Sequence, residues 1–329
     1  MLKAVGLLSG GLDSTLAAKV LIEQGIEVHA VNFTSPFCTC TPKSASCASV
    51  VQAVKELGDI PLKRMTLGDE FLLRVREPRH GHGKGMNPCI DCRIMKIQKA
   101  VEHMKEIGAS FLFTGEVLGQ RPMSQHKRAL TLIERESGIQ GYILRPLSAS
   151  LLEPTEPEKR GWVDRDRLLS LSGRNRKPQI QMAYTMGISD YPCPAGGCLL
   201  TDKSFSTRLK DYFQYTASPK CSDVALLKVG RHFRLQSGEK VIVARDAMEG
   251  DRLIHLASLE HNILEPVGFS GPVVLFEGDC LEQAIEMLVQ FTNKEIPSSA
   301  VIVHKNGNKR KPIPIDATGN AMLFESKRI

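Results

Sequence analysis

Ala4-Val5-Gly6-Leu7-Leu8-Ser9-Gly10-Gly11-Leu12-Asp13-Ser14 decides the fold of the first half of this 329-residue chain. Residues 4–8 are a short apolar run, the pattern of a parallel strand buried on both faces, and they feed directly into a glycine-rich turn. Leu16, Ala17, Val20 and Leu21 then recur at helical spacing, and Gly25 supplies a C-terminal stop. A strand, a glycine turn and a helix in succession bring backbone N–H groups and the positive end of a helix to one point, which suits phosphate. The glycines let the backbone come close, and Ser9 and Ser14 add hydroxyl donors. Asp13, a carboxylate beside phosphate, serves best as a direct or water-mediated ligand of Mg²⁺, which favours a nucleotide over simple phosphate. A Walker loop would end in Gly-Lys-Ser/Thr, so a different cradle is expected.

Working outward, the pattern predicts strands over 28–33, 62–67, 111–114 and 143–144, and helices over 50–57, 94–107 and 127–136, the second stopped by Gly108. Strand and helix in alternation predict an α/β fold with a doubly wound parallel sheet. Ligands in such sheets collect beyond the carboxyl ends of the strands, here the loops after Leu8, Phe33 and Thr114. From about residue 145 the chain turns irregular and proline-bearing, an extension wrapped on the same domain. Past Cys221 short strands (232–235, 241–244, 273–276) and helices (253–259, 281–291) predict a smaller α+β domain. The expected division is 1–220 and 221–329, two domains suiting the length.

The net charge is +7, and the positive excess belongs wholly to residues 1–220. An anionic partner such as nucleic acid should be gripped there. Arg74, Arg76, Arg79, His80, His82 and Lys84 form one basic run, and Arg174, Arg176 and Lys177 another; Arg79, Lys84, Arg174, Arg176 and Lys177 are the candidates for RNA phosphates. His80 and His82 read as surface residues, since no acidic partner lies nearby in sequence. No run of about 20 apolar residues and no basic-then-apolar leader is expected, which points to the cytoplasm and no membrane.

Nine cysteines in such a compartment stay reduced, so metal or sulfur chemistry is the question. Asn87-Pro88-Cys89-Ile90-Asp91-Cys92-Arg93 sets two thiols three apart just ahead of the predicted helix, where the dipole favours thiolate. The pair is compatible with zinc, an iron–sulfur cluster, a redox dithiol or none of these. A third ligand could come from Cys193 or Cys198 in Tyr191-Pro192-Cys193-Pro194-Ala195-Gly196-Gly197-Cys198-Leu199-Leu200. Three cysteines on a cubane leave one iron open, whereas four close the site. Cys38, Cys40 and Cys47 read as incidental loop cysteines, as auxiliary thiols or as a second metal site, and Cys221 and Cys280 as small buried hydrophobes.

The hexapeptide Ser9-Gly10-Gly11-Leu12-Asp13-Ser14 resembles the fingerprint of the PP-loop ATP pyrophosphatases. The resemblance implies an adenine nucleotide alpha-hydrolase-like fold and a reaction in which ATP places AMP on a carbonyl oxygen, pyrophosphate leaves and a nucleophile displaces the AMP. It implies ATP contacts at all six residues, at Thr114 and Gly115, and at Asn32 and Phe33, where adenine would lie at the end of the second strand. Thr114-Gly115-Glu116-Val117-Leu118-Gly119-Gln120, with Ser124-Gln125 and Arg145-Pro146-Leu147, is similar to 4-thiouridine-forming tRNA sulfurtransferases. The Asn-Pro-Cys-Ile-Asp-Cys and Pro-Ala-Gly-Gly-Cys-Leu-Leu-Thr-Asp strings resemble a tRNA thiouridylase-like group of PP-loop proteins, over roughly residues 1–215.

On that pattern Asp13, Cys89, Cys92 and Cys198 are catalytic, and Cys89, Cys92 and Cys198 hold a [4Fe-4S] cluster with Cys193 in reserve. The segment 229–256 is similar to the RNA-binding domain of the NFACT proteins. Neither a THUMP-like domain before the loop nor a rhodanese-like tail is expected, which leaves open both the RNA grip and the sulfur donor, a protein persulfide or sulfide. The expected function is ATP-dependent, pyrophosphate-releasing thiolation of tRNA. The alternatives are a PP-loop ligase or amidase acting on a metabolite, with structural zinc, and a non-catalytic ATP-binding RNA quality-control factor.

Overall fold

The computed structural model describes residues 2–38, 45–189, 191, 198–292, 294–315 and 326–329, and the side chains of all these except 45–48, 326 and 327. Cys40 and Cys193 lie outside the described residues, as does the side chain of Cys47. The chain forms two compact units, Met1–Asp202 and Lys203–Ile329.

The first unit runs β1 (Lys3–Leu7), α1 (Leu12–Ile22), β2 (Glu27–Thr34), α2 (Ala45–Glu56), β3 (Leu62–Thr66), α3 (Asp69–Arg76), α4 (Cys89–Glu106), β4 (Phe111–Thr114), α5 (Lys127–Glu136) and β5 (Ile143–Leu144). The extension follows, with α6 (Glu156–Lys159) and α7 (Lys177–Thr185). The five strands are parallel in the order β3-β2-β1-β4-β5, with Leu7 opposite Val31 on one side and Thr114 on the other. Side chains alternate across the sheet. Ala4, Val28, Ala30, Phe111 and Phe113 face a core shared with α1, α2 and α7, while Val5, Leu7, Val31 and Leu112 face one shared with α4 and α5. The sheet is thus covered on both sides. Because β1 sends its chain out to β2 and the chain returns to β4 on β1's other edge, the strand order reverses between β1 and β4, and a crevice opens beyond their carboxyl ends.

α4 starts at Cys89, five residues before its expected start, because Ile90, Ile94, Ile97, Val101 and Met104 continue one apolar stripe. The two thiols therefore lie in the first helical turn and not ahead of it. α3 went unpredicted, its three buried side chains Phe71, Leu72 and Val75 being masked by the basic residues among them.

The second unit runs α8 (Lys203–Tyr215), α9 (Cys221–Val224), β6 (Arg231–Leu235), β7 (Lys240–Val243), α10 (Ala247–Leu256), β8 (Asn262–Val267), β9 (Val274–Phe276), α11 (Leu281–Gln290), β10 (Val301–Asn306), β11 (Lys309–Pro314) and β12 (Ser326–Arg328). Its sheet is antiparallel between paired strands, in the order β11-β10-β8-β9-β7-β6-β12. α11 covers one face, and α10 with residues 226–229 the other. The basic tail residues Lys305, Lys309, Arg310 and Lys311 sit on the β10–β11 hairpin, and charge and proline on the edge strand β11 oppose further pairing. The boundary falls at 202/203 and not near 220, because Asp211 of α8 is buried against Arg234 and Tyr212 donates to Asp223 at 2.6 Å. Cys280 is buried in this core, as expected, but Cys221 is only half-buried. Among the described residues no helix is long and apolar enough to cross a membrane.

Two tests follow from the packing. A Cβ at Gly6 would stand 2.2 Å from Cζ of Phe113. Gly6→Ala should therefore cost about 1–3 kcal/mol by overpacking, read from the denaturation midpoint, and Phe113→Leu in the same chain should recover part of it. In the second unit, burial drives the pKa of Lys240 down from 10.5 to about 8, against the pull of Glu277 and Asp211. Between those values the folded chain has lost a proton that the unfolded chain retains, so stability rises with pH. The calorimetric Tm of the second unit should rise across that window relative to Lys240→Met, and parallel profiles would refute the assignment.

Candidate active site

Residues 9–14 close on themselves through short-range bonds. Gly10 adopts a left-handed φ of 76°, and a Cβ there would meet the Val50 backbone nitrogen at 2.5 Å, so only glycine fits. Ser14 Oγ donates to the Gly11 carbonyl at 2.9 Å. With its proton so committed, Ser14 Oγ accepts from Ser9 N at 3.2 Å and from Ser9 Oγ at 3.1 Å. The loop after β4 is pressed on this turn, since a Cβ at Gly115 would lie 2.5 Å from Ser14 N.

Asp13 stands in the first turn of α1. Its Oδ2 accepts from Gln120 Nε2 at 3.1 Å and from an Arg176 guanidinium nitrogen at 3.3 Å. Its Oδ1 is buried and has no hydrogen-bond partner among the described residues. A buried carboxylate oxygen left open beside a phosphate turn fits a divalent cation.

Two residues after Thr114, Glu116 is 2% exposed. Arg145 Nε donates to its Oε2 at 3.1 Å, and Arg93 Nε makes an ion pair with its Oε1 at 3.1 Å. Arg145 also pairs with Glu134. Burial alone would raise the Glu116 pKa, but the two guanidiniums outweigh it and hold the carboxyl below the usual range. The chain Arg93–Glu116–Arg145–Glu134 thereby ties α4, β4, β5 and α5 together behind the crevice.

The crevice is a cavity of about 650 Å³ lined by Ser9, Gly11, Leu12, Asp13 and Ser14, by Thr114, Gly115 and Glu116, and by Arg93, Lys96, Gln120, Arg121, Arg174 and Arg176. Five cationic side chains against two carboxylates make it a receptor for a polyanion. Arg174 and Arg176, expected at RNA phosphates, thus face the phosphate cavity. Asn32 and Phe33 do not line it: Asn32 Nδ2 donates to the Leu8 carbonyl at 2.8 Å, and Phe33 packs on the α4 side of the sheet.

Cys89, Cys92, Arg93 and Lys96 follow one another at helical spacing along one face of α4. Burial, then Cys92, pushes the Cys89 thiol up, while Arg121 and Arg93 act against this. The helix dipole thus does not make it a ready thiolate. Cys198 is pushed up to about 11 by burial first, with Cys92 and Cys38 adding to it and Lys96 opposing. Arg93, Lys96 and Arg121 line the cavity and also act electrostatically on these thiols, and Arg93 and Lys96 share a face of α4 with Cys89 and Cys92.

Cys38 lies opposite Cys198 in an antiparallel bridge, and Leu199 N donates to the Phe37 carbonyl at 3.1 Å, the pattern of a narrow, non-hydrogen-bonded pair. Soft thiol donors suit an iron–sulfur cluster or zinc. As they stand, no three His, Cys, Asp or Glu side chains among the described residues close round an ion.

Asp91, between the two cysteines, accepts from the backbone N–H groups of Arg79 and His80 at 2.9 and 3.0 Å and so pins the basic loop to α4. Arg79 and His80 both reach Glu136, while Lys84 and Lys177 are exposed. Arg93, Lys96, Gln120 and Arg121 carried no role in the sequence reading. The spacing of 89, 92, 93 and 96 was the available signal for the first two.

Residues 2–151 match the family model described as thiamine biosynthesis protein (ThiI). Residues 230–320 match the NFACT protein RNA binding domain. The tRNA-specific 2-thiouridylase MnmA of Dichelobacter nodosus is 24% identical over 222 residues, 64% of this chain and 54% of that protein. MnmA of Leptospira interrogans is 30% identical over 125 residues, 34% of this chain and 33% of that protein. The chain spans about half the length, or less, of these curated relatives. Among solved structures, a 4-thiouridine synthetase–RNA complex with bound ATP is similar with a TM-score of 0.40 and 22% identity, over 69% of this chain and 52% of that one. The U34-tRNA thiolase NcsA from Methanococcus maripaludis with its [4Fe-4S] cluster gives 0.34 and 17%, over 69% and 71%.

Breaking a buried charge chain strands its partners. Glu116→Gln should destabilise the first unit by about 3–5 kcal/mol, followed through Trp162, the single tryptophan. A change under about 1 kcal/mol would mean that the pairs do not hold the unit together.

Proposed function

We propose that this protein is an ATP-dependent RNA sulfurtransferase acting on tRNA. ATP binds in the cavity with its phosphates on residues 9–14, where Asp13 would hold Mg²⁺. The adenine would extend beyond the cavity to the carboxyl end of β2 and meet the backbone of Asn32 and Phe33, whose side chains do not line the cavity, with Thr114 and Gly115 completing the nucleotide contacts. A pyrimidine carbonyl oxygen attacks the α-phosphorus, AMP stays on that oxygen and pyrophosphate leaves. Arg93, Arg121 and Arg176 are placed to offset charge on the departing group. Sulfur delivered from the Cys89, Cys92 and Cys198 edge then adds to the activated carbon, and AMP departs. Holding both partners beside one cavity replaces two encounters with one bound sequence.

One observation carries this reading: Arg93, Lys96 and Arg121 belong to the phosphate cavity and to the thiol group at once. Cys89, Cys92 and Cys198, with Cys193 in reserve, are the residues that would hold a [4Fe-4S] cluster, whose open iron would take up sulfide from a donor. Such a cluster or cation is also what these raised thiols need in order to act as thiolates. Arg79, Lys84, Arg174 and Lys177 are proposed to meet RNA phosphates, and the second unit, matching an RNA-binding family, to add to the grip. The reducing cytoplasm is the proposed setting.

Anaerobically reconstituted protein should release pyrophosphate from ATP only when unmodified tRNA is present, and nucleoside mass spectrometry of that tRNA should then show a new thiolated pyrimidine. Equal release with a small amide or acid would favour a metabolite ligase, and ATP binding without turnover on any tRNA pool would favour a non-catalytic factor. Metal analysis of the same preparation separates a cluster from one structural zinc.

A further inference from the structure

The outer face of α7 has no part in the chemistry above. We propose that it is the surface on which the RNA substrate lies, with Tyr184 stacking on an unpaired base beside the nucleotide being modified; this rests on the RNA-directed reading of the site. α7 turns Gln179 and Ala183 inward, and Met182 packs on the core shared with α1. The opposite side presents Ile180, 50% exposed, and Tyr184, 84% exposed, one helical turn apart. Tyr184 is the most exposed large apolar side chain among the described residues. A phenol ring held out in water on a rigid helix is a stacking platform, and every base offers a π-face to it.

Charge selects the partner. Between Asp166 and Asp190 the chain contains no carboxylate, and its charged residues are Arg167, Arg174, Arg176 and Lys177. Of these, Lys177 lies on α7 itself, and Arg174 and Arg176 lie at the cavity from which the helix starts, so the path from cavity to helix is cationic and fits an acidic polymer, not a basic one. Position selects it again. Arg176, immediately before α7, reaches into the cavity as far as Asp13, at 3.3 Å, while Lys177 and Tyr184 lie seven residues, about 10 Å, apart along the helix axis. A strand whose reacting base enters the cavity beside Arg176 passes Lys177 with its backbone and brings a neighbouring base to Tyr184.

The test uses the intact chain, unmodified tRNA as the probe and fluorescence anisotropy for affinity, with ATP affinity measured in parallel. Tyr184→Ala should weaken tRNA binding by about 5- to 100-fold, while Tyr184→Phe, which keeps the ring, should bind as wild type. ATP affinity and Tm should not move in either variant, because the side chain is exposed. Unchanged tRNA affinity in Tyr184→Ala overturns the proposal, as does an equal loss in Tyr184→Phe. If Tyr184→Ala binds tRNA normally but no longer accepts sulfur from a persulfide-bearing protein, the face belongs to the donor. Wild-type protein with no affinity for any tRNA would sink the parent reading as well, so the two failures are distinguishable.

Discussion

Glu116 takes on the full cost of burying a carboxylate and recovers it from two guanidiniums, and the site depends on that exchange. An isolated ion in this position would be several kcal/mol out of balance. Arg93 and Arg145 approach it at 3.1 Å from α4 and from the end of β5, so the desolvated charge ties the first turns of α4 to the carboxyl ends of β4 and β5. Arg93 is also the residue after Cys92. The pair that secures the sheet edge therefore fixes the rotation of α4 and, with it, where the thiols point. Gly115, pressed on Ser14, sets the distance from the other side.

The cavity that results is charged in one direction. Arg93, Lys96, Arg121, Arg174 and Arg176 outnumber Asp13 and Glu116, and Glu116 is already matched by its own pairs. The proposed triphosphate with Mg²⁺ would supply the missing negative charge and a partner for the open Asp13 oxygen. The thiols present the converse situation. Burial raises Cys89 and Cys198, so they are neutral where they stand and gain from a bound metal or cluster that accepts their electron pairs. Two electrically unfinished groups lie under the field of the same basic side chains, and the proposed sulfur transfer rests on that arrangement.

Much of the fold was legible in the chain. The apolar run 4–8, the glycine turn and the helix after it were read correctly because periods of two and 3.6 are local properties of residues that touch their neighbours. The strand at 111–114 was legible for the same reason. The start of α4 and all of α3 were not, since Pro88 and the arginines at 74 and 76 disguised apolar stripes whose meaning comes from the sheet they cover. The domain boundary was displaced because α8 is held by Arg234, a residue that lies later in the chain and gives no signal in the helix itself.

By itself the sequence determined the strand, glycine turn and helix around residues 9–14, a closely spaced cysteine pair and a basic first part of the chain, since each is written in consecutive or helically spaced residues. Only the tertiary structure decided that Arg176 reaches Asp13, that Cys198 stands opposite Cys38, and that Arg93, Lys96 and Arg121 join the thiols to the cavity. Those contacts depend on sheet order and crossover packing, which fold residues far apart in the chain onto one edge, and neither periodicity nor composition encodes which distant residues will meet there.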